Sequence, residues 1–249
     1  MGTVQYIIED LCARWDREYI VPPPNTAATM KLGVQHGPET ACLPLKLTVG
    51  NLIQGLEAGA DTTVMVGGGG PCRFGYYADL QRRILENLGY EFESYTIEPP
   101  GQRPAHIVKT VKHLANGRSY YQAFQDVRHC FRKGQALDRI ERDGNVTRCY
   151  EVTRGDTNTA RDEGFEIVRA AWTWNEIEEA EREALALMAA VEKDMSRDVL
   201  KVGLVGEFYL VLEPFTNFDI EEYLGERGVY VDRGTYTSDW IGPSESNPI

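Results

Sequence analysis

The chain has 249 residues, 42% of them hydrophobic, which suffices for one large domain or two modest ones with a real core. A formal net charge of −12 argues against a nucleic-acid binder, and no apolar run approaches the roughly 18 residues that a membrane span requires. Five cysteines without regular pairing do not make a secreted disulfide framework, and the N-terminus shows no signal-peptide pattern, so cytoplasmic residence is expected.

Val4, Ile7, Ile8, Leu11 and Trp15 recur at helical spacing, which predicts an amphipathic helix with Cys12 beside its apolar face. Tyr19-Ile-Val predicts a strand stopped by Pro22-Pro23-Pro24, and Asn25-Thr26 predicts the cap of a short helix over 27–33. Cys42 follows in a turn, with Pro44 at the start of a helix to about Ala58 that turns Leu47, Leu52, Ile53 and Leu56 inward. Gly50 and Gly55 in that helix imply close backbone packing, since each costs helix stability.

Thr63 to Tyr77 is the most distinctive stretch. Val64, Met65 and Val66 predict a strand covered on both faces, Gly67, Gly68, Gly69 and Gly70 leave the backbone free to approach a neighbour, and Pro71 stiffens the turn. Cys72 then arrives at a helix start, where backbone N–H groups favour a thiolate. Leu80, Ile84, Leu85 and Leu88 form that helix's stripe, Gly89 ends it, and a strand over 91–98 follows. Strands separated by such helices predict parallel β–α–β units, with ligands beyond the carboxyl ends of the strands. The loops of Cys42 and Cys72 are then expected on one rim.

Residues 101–198 read as mainly helical. Ile107 to Leu114 predicts one helix, and Tyr120, Phe124, Val127 and Phe131 the apolar face of another, with Cys130 beside it. Asp143-Gly-Asn and Arg154-Gly-Asp make 141–161 read as loops, with Cys149 in a short strand or helix end. Asn175 and Glu178 predict the capping box of a long helix. Strands near Lys201 and Gly228, with a helix over 219–226 between them, begin a second α/β unit that reads as unfinished or truncated at residue 249. The expected architecture is therefore α/β: a Rossmann-like unit over 1–100, a helical region over 101–198, and an incomplete α/β unit over 199–249.

Three chemistries suit the glycine loop and its cysteine. A phosphate cradle fits consecutive N–H groups at a helix start, although the Gly-Lys-Ser/Thr ending is absent and only Gly67 and Gly69 match Gly-x-Gly-x-x-Gly. A nucleophilic thiol would want a partner among His36, His106, His113 and His129, none of which sits in a partner motif. A soft-metal or iron–sulfur ligand fits thiolates on separate loops, although no Cys-x-x-Cys is present.

Val21-Pro-Pro-Pro-Asn-Thr, Ala41-Cys-Leu-Pro-Leu-Lys-Leu-Thr-Val-Gly-Asn and Gly67-Gly-Gly-Gly-Pro-Cys-Arg-Phe-Gly-Tyr-Tyr resemble the acyl-CoA dehydratase activase-related proteins, also called CoA protein activases. That family is related to the cluster-carrying subunits of 2-hydroxyacyl-CoA dehydratases and benzoyl-CoA reductases. The stretches from Val202 to Ile220 and from Ser238 to Ile241 resemble the start of its second α/β half. The resemblance implies a [4Fe–4S] cluster held by cysteines from separate loops of paired Rossmann-like domains, with Cys42 and Cys72 at the motif positions. It implies an iron–sulfur electron-transfer or dehydratase-related protein, Arg73 balancing cluster or CoA-phosphate charge, and Gly67 to Gly70 closing around the cluster. Implied partners are an ATP-dependent activator or a paired homologous subunit, and acyl-CoA. The activator's ATPase motifs are not found in this sequence, and a further cluster ligand is expected outside it. The alternative is a non-catalytic scaffold, or a CoA- or nucleotide-binding module using the Gly67–Gly70 loop.

Overall fold

Capping boxes at Thr26 and at Thr173 set the starts of two of the helices in this chain. The computed structural model describes residues 2–67, 72–97 and 104–241, which divide into two compact units. One comprises Met1–Arg14 with Phe124–Ile249, the other Trp15–Ala123, so the divisions fall elsewhere than at residues 100 and 198.

In the unit of residues 15–123, α2 (Ala27–His36) begins at a capping box in which Thr26 and Thr29 satisfy each other's backbone N–H groups. It packs on α3 (Leu43–Glu57), whose N-cap is Cys42 and whose Pro44 occupies the first turn. The two helices approach so closely that a β-carbon on Gly33 would lie 1.7 Å from the Lys46 carbonyl oxygen, and one on Gly50 would lie 2.1 Å from that of Thr29. Gly50 thus fulfils its expected role, whereas Gly55 has open space around it. Strand β1 (Thr62–Val66), helix α4 (Tyr77–Asn87) and strand β2 (Glu93–Ile97) form a β–α–β unit, the strands pairing in parallel with Val64 opposite Tyr95. Leu45, Val49, Ile53, Leu56, Tyr77 and Leu85 make the core of α3 and α4. Helix α5 (Pro104–Leu114) follows β2.

Three expectations are corrected in this unit. Val64 is 43% exposed, because a sheet of two strands cannot cover both faces of β1. No strand forms over 19–21: the run is short, three prolines without N–H donors follow it, and the neighbouring Arg17 is drawn to the carbonyls of His113 and Leu114 at the end of α5. Two strands rather than three therefore pair here, and a Rossmann-like sheet is not formed among the described residues.

In the other unit, α1 (Val4–Arg14) and the 29-residue α6 (Tyr120–Arg148), which crosses the boundary at 123/124, pack with α7 (Asp156–Ala170) and α8 (Trp174–Ala190). Leu137, Ile140, Phe165, Val168, Ile177, Ala184 and Met188 are their shared core. Helix α6 runs straight through Asp143-Gly-Asn, where loops were expected. Asn145 is buried there and exchanges hydrogen bonds with Arg148 and Glu221, so its polarity is absorbed by partners rather than by a turn. The predicted stripe of Tyr120, Phe124 and Val127 is instead exposed, and Cys130, Leu137 and Ile140 carry the buried side of α6. The cap of α8 is Thr173 with Glu176, two residues before the expected pair.

Strand β3 (Leu200–Leu204), short helices α9 (Phe208–Leu212), α10 (Pro214–Asn217) and α11 (Ile220–Gly225), strand β4 (Val229–Arg233) and helix α12 (Thr237–Ile241) complete the unit. β3 and β4 pair in parallel, Val202 opposite Val231. The fold is thus mixed α/β, with two parallel two-stranded sheets among the described residues.

Buried charges tie these pieces together. Lys133 and Arg14 both bind the Asp10 carboxylate, at 2.6 and 2.8 Å, and Cys130 donates its thiol to the same group. Asp138 accepts from the Thr3 hydroxyl at 2.8 Å and from the Ser238 N–H at 2.6 Å. Burial nevertheless raises the Asp138 pKa, because those two donors only partly replace water. A carboxyl whose folded pKa exceeds its unfolded value favours folding most below the unfolded value, about pH 4, and loses that contribution as pH rises through the folded one. Asp138→Asn is therefore expected to flatten part of the fall in stability above pH 4, read from thermal melts across that range.

Candidate functional site

The predicted site residues all belong to the unit of residues 15–123. β1 delivers the chain to Gly67, whose N–H extends the parallel pairing by donating to the Ile97 carbonyl at 2.9 Å. A β-carbon at Gly67 would lie 2.5 Å from Thr96 Cγ2, so the absence of a side chain is demanded by the neighbouring strand. Gly68, Gly69 and Gly70 lie outside the described residues. Cys72 then caps a 3-10 turn over Arg73–Tyr76, its carbonyl accepting from the Gly75 N–H, and the turn opens directly into α4. Cys72 and Arg73 are both exposed.

Cys42 reaches the same helix from another direction. It has extended backbone at the N-cap of α3, is exposed, and makes no capping bond with its own side chain. Its sulfur is hydrogen-bonded to the hydroxyl of Tyr77, the first residue of α4. Tyr77, Gln81 and Leu85 are spaced one turn apart and are buried as a stripe. Gln81 ties that stripe to α3, its Nε2 donating to Thr48 Oγ1 at 2.7 Å, while Thr48 donates to the Pro44 carbonyl. Both cysteines are thus free thiols at helix starts, and both address the entrance of α4.

The other cysteines stand apart from this arrangement. Cys130 and Cys149 are buried in the other unit, Cys130 donating to Asp10 and Cys149 to the Val146 carbonyl. Burial raises both thiol pKa values, which keeps them protonated and suits them to packing rather than ligation.

Exposed thiols match a soft metal in kind. They do not match in number: a four-iron cluster is ordinarily held by four thiolates, and no group of three His, Cys, Asp or Glu side chains is placed to hold a metal among the described residues. An open depression on α4, lined by Arg82, Arg83, Glu86 and Asn87, includes none of the predicted residues. Among the described residues no helix is long and apolar enough to cross a membrane.

Comparison with protein-family models, curated proteins and solved structures finds no match to this chain.

Two features depend on partners distant in sequence. In the sequence Tyr77 is one aromatic of a pair, and its burial with Gln81 on one stripe of α4 follows from the packing on α3 rather than from the apolar spacing of Leu80, Ile84, Leu85 and Leu88. The second is a polar network in the other unit. Arg233, at the end of β4, binds Glu221 at 3.0 Å and also Glu141, and lies over the Tyr236 ring at 4.1 Å. Asn145, Arg148 and Asn158 carry the network on to Glu222 and Arg161.

Proposed function

We propose that Cys42 and Cys72 are two of the thiolate ligands of a [4Fe–4S] cluster, in an iron–sulfur electron-transfer protein related to the 2-hydroxyacyl-CoA dehydratases. The observation that carries this reading is the placement of two exposed thiols, from loops thirty residues apart in sequence, at the entrance of one helix. All five cysteines are free; Cys130 and Cys149 are buried and Cys12 is half-buried, whereas Cys42 and Cys72 are exposed. The motif resemblance assigns the same two residues. Since two thiolates are half of the usual set, the remaining ligands come from outside the described residues, and a paired homologous subunit is the source in this reading.

When bound, the cluster supplies one-electron transfer. The chain's own contributions are the two sulfurs, the helix starts that orient them, and Arg73, an exposed cation beside Cys72 suited to an anionic CoA phosphate. Anaerobic purification followed by iron and sulfide analysis tests the proposal. Equal iron and sulfide, with visible charge-transfer absorption, are expected. Cys42→Ser and Cys72→Ser are each expected to lose most of that iron, because neither hydroxyl replaces a thiolate toward iron. A Cys72→Ser chain with its full iron complement would refute the assignment.

A further inference from the structure

Two places in the sequence set an asparagine or aspartate directly before glycine, Asn116-Gly117 and Asp143-Gly144. At such pairs the glycine nitrogen, with no side chain beside it, can attack the preceding side-chain carbonyl carbon. The fold separates the two. Gly144 is buried within α6, where its N–H is committed to the helix and Met188 lies against it. Asn116 and Gly117 are both exposed, in the connection between α5 and α6. Their φ values are 47° and 80°, a left-handed pair that asparagine and glycine tolerate best. No atom lies within 4 Å of the β-carbon that Gly117 lacks, so the turn can rotate without displacing a neighbour. The residues beside it are fixed. Ala115 is fully buried, the Arg118 N–H bonds its carbonyl at 3.0 Å, and Ser119 with Gln122 caps the start of α6.

The helix before the turn is lightly held. The last turn of α5 meets β2 through His113, whose ring stacks on Tyr95 at 5.0 Å and whose Nε2 lies 3.3 Å from the Glu93 carboxylate. Arg17 adds bonds to the His113 and Leu114 carbonyls at 3.0 and 3.2 Å. His113, Glu93 and Arg17 are all exposed, and exposed pairs each contribute little.

We propose that Asn116-Gly117 is a self-modification site whose conversion releases the last turn of α5 from β2. The Gly117 nitrogen bonds to Asn116 Cγ, the bond from Cγ to the side-chain nitrogen breaks, and ammonia leaves with the Gly117 amide proton. Water then opens the cyclic imide at either carbonyl, leaving aspartate or its β-linked isomer. The isomer lengthens the backbone by one carbon in a turn that is fixed on both sides. Either product also sets a carboxylate at the C-terminal end of α5, where the helix dipole disfavours it.

The experiment ages the full chain without denaturant at mildly alkaline pH and samples it by peptide mass spectrometry. Asn116 is expected to convert before any other asparagine. Isoaspartyl methyltransferase with labelled S-adenosylmethionine is expected to methylate the peptide that spans residue 116 and to leave the Asp143-Gly144 peptide unlabelled. Hydrogen exchange of the aged chain is expected to quicken over the second half of α5 and to stay at fresh-chain values in α4 and α7. Asn116→Gln, whose longer side chain closes the ring far less readily, is expected to show neither change on ageing. Conversion that occurs only in urea, or labelling at Asp143-Gly144 as fast as at Asn116, overturns the proposal. A converted chain whose α5 exchanges like fresh protein, or an aged Asn116→Gln chain whose α5 exchanges faster, overturns the release of α5.

Discussion

Arg233→Met is expected to destabilise the unit of residues 124–249 by about 3–5 kcal/mol, the range for removing one partner of a buried ion pair. The guanidinium is 5% exposed and serves two carboxylates, Glu221 and Glu141, whose side chains are themselves mostly buried. Removing it leaves two like charges facing each other with little water between them. The pH dependence identifies the cause. Burial already raises the Glu221 pKa, Arg233 opposes that rise, and Glu141 adds to it. Without Arg233 the folded-state pKa climbs further above the unfolded value, so the deficit must be small below about pH 4 and grow as pH rises toward neutrality. Urea titrations at pH 4 and pH 7 read this difference directly. A deficit that is equal at both pH values would assign the loss to packing, chiefly to the Tyr236 ring that the guanidinium covers.

That network also explains how a sheet of only two strands is held in place. A two-stranded parallel sheet has little apolar area of its own, and β3 has exposed residues over much of its length. Its partner β4 is anchored instead by charge, Arg233 reaching α6 through Glu141 and α11 through Glu221. Asn145 closes the circuit from α6 to Glu221, and Gly225 at the end of α11 rests on the stem of Arg148, where a β-carbon would lie 2.8 Å from Cδ. Buried charge of this kind selects one docking geometry through directed bonds, while contributing less net stability than an apolar contact of equal area.

The parts legible in the sequence are those decided by local chemistry. Thr26 announces its helix because the capping bonds close within four residues, and Gly89 ends α4 with positive φ where an L side chain would be strained. Cys42 and Cys72 were recognisable as helix-start residues for the same reason: Pro44 and the 3-10 turn lie within a few positions. What could not be read depends on partners distant in sequence. Asn145 looks like a turn residue until Glu221, 76 positions away, takes up its amide. Tyr77 is an unremarkable aromatic until Cys42, 35 positions earlier, meets its hydroxyl. Asn175 and Thr173 are both short polar residues before a helix, and only the Glu176 carboxylate, which accepts from the N–H groups of Trp172 and Thr173, decides between them.

Gly33→Ala and Gly50→Ala carry the other large expected effect, and its sign opposes the usual rule. On an open helix surface, replacing glycine by alanine stabilises by up to about 1 kcal/mol. Here the new methyl groups would meet backbone, the Lys46 carbonyl for Gly33 and the Thr29 carbonyl for Gly50, at distances where something must move. A carbonyl within a helix cannot turn aside as a flexible side chain can, so α2 and α3 must separate. The cost is expected to be about 3 kcal/mol or more, at the upper end for overpacked sites. Gly55→Ala is the internal control: it lies on the same helix α3 with no atom within 4 Å of its would-be β-carbon, and should stabilise. Thermal melts of the three variants must therefore split, with two falling and one rising. The separation also propagates to the thiol site, since Lys46 is in the first turn of α3 and its N–H bonds the Cys42 carbonyl at 3.4 Å. Shifting that turn moves the Cys42 sulfur relative to the Tyr77 hydroxyl, so Gly33→Ala should alter the rate at which iodoacetamide labels Cys42 while leaving Cys72, on the α4 side, as it was. A Gly33→Ala chain that melts and labels like wild type would show that the two helices have more room than their backbones indicate.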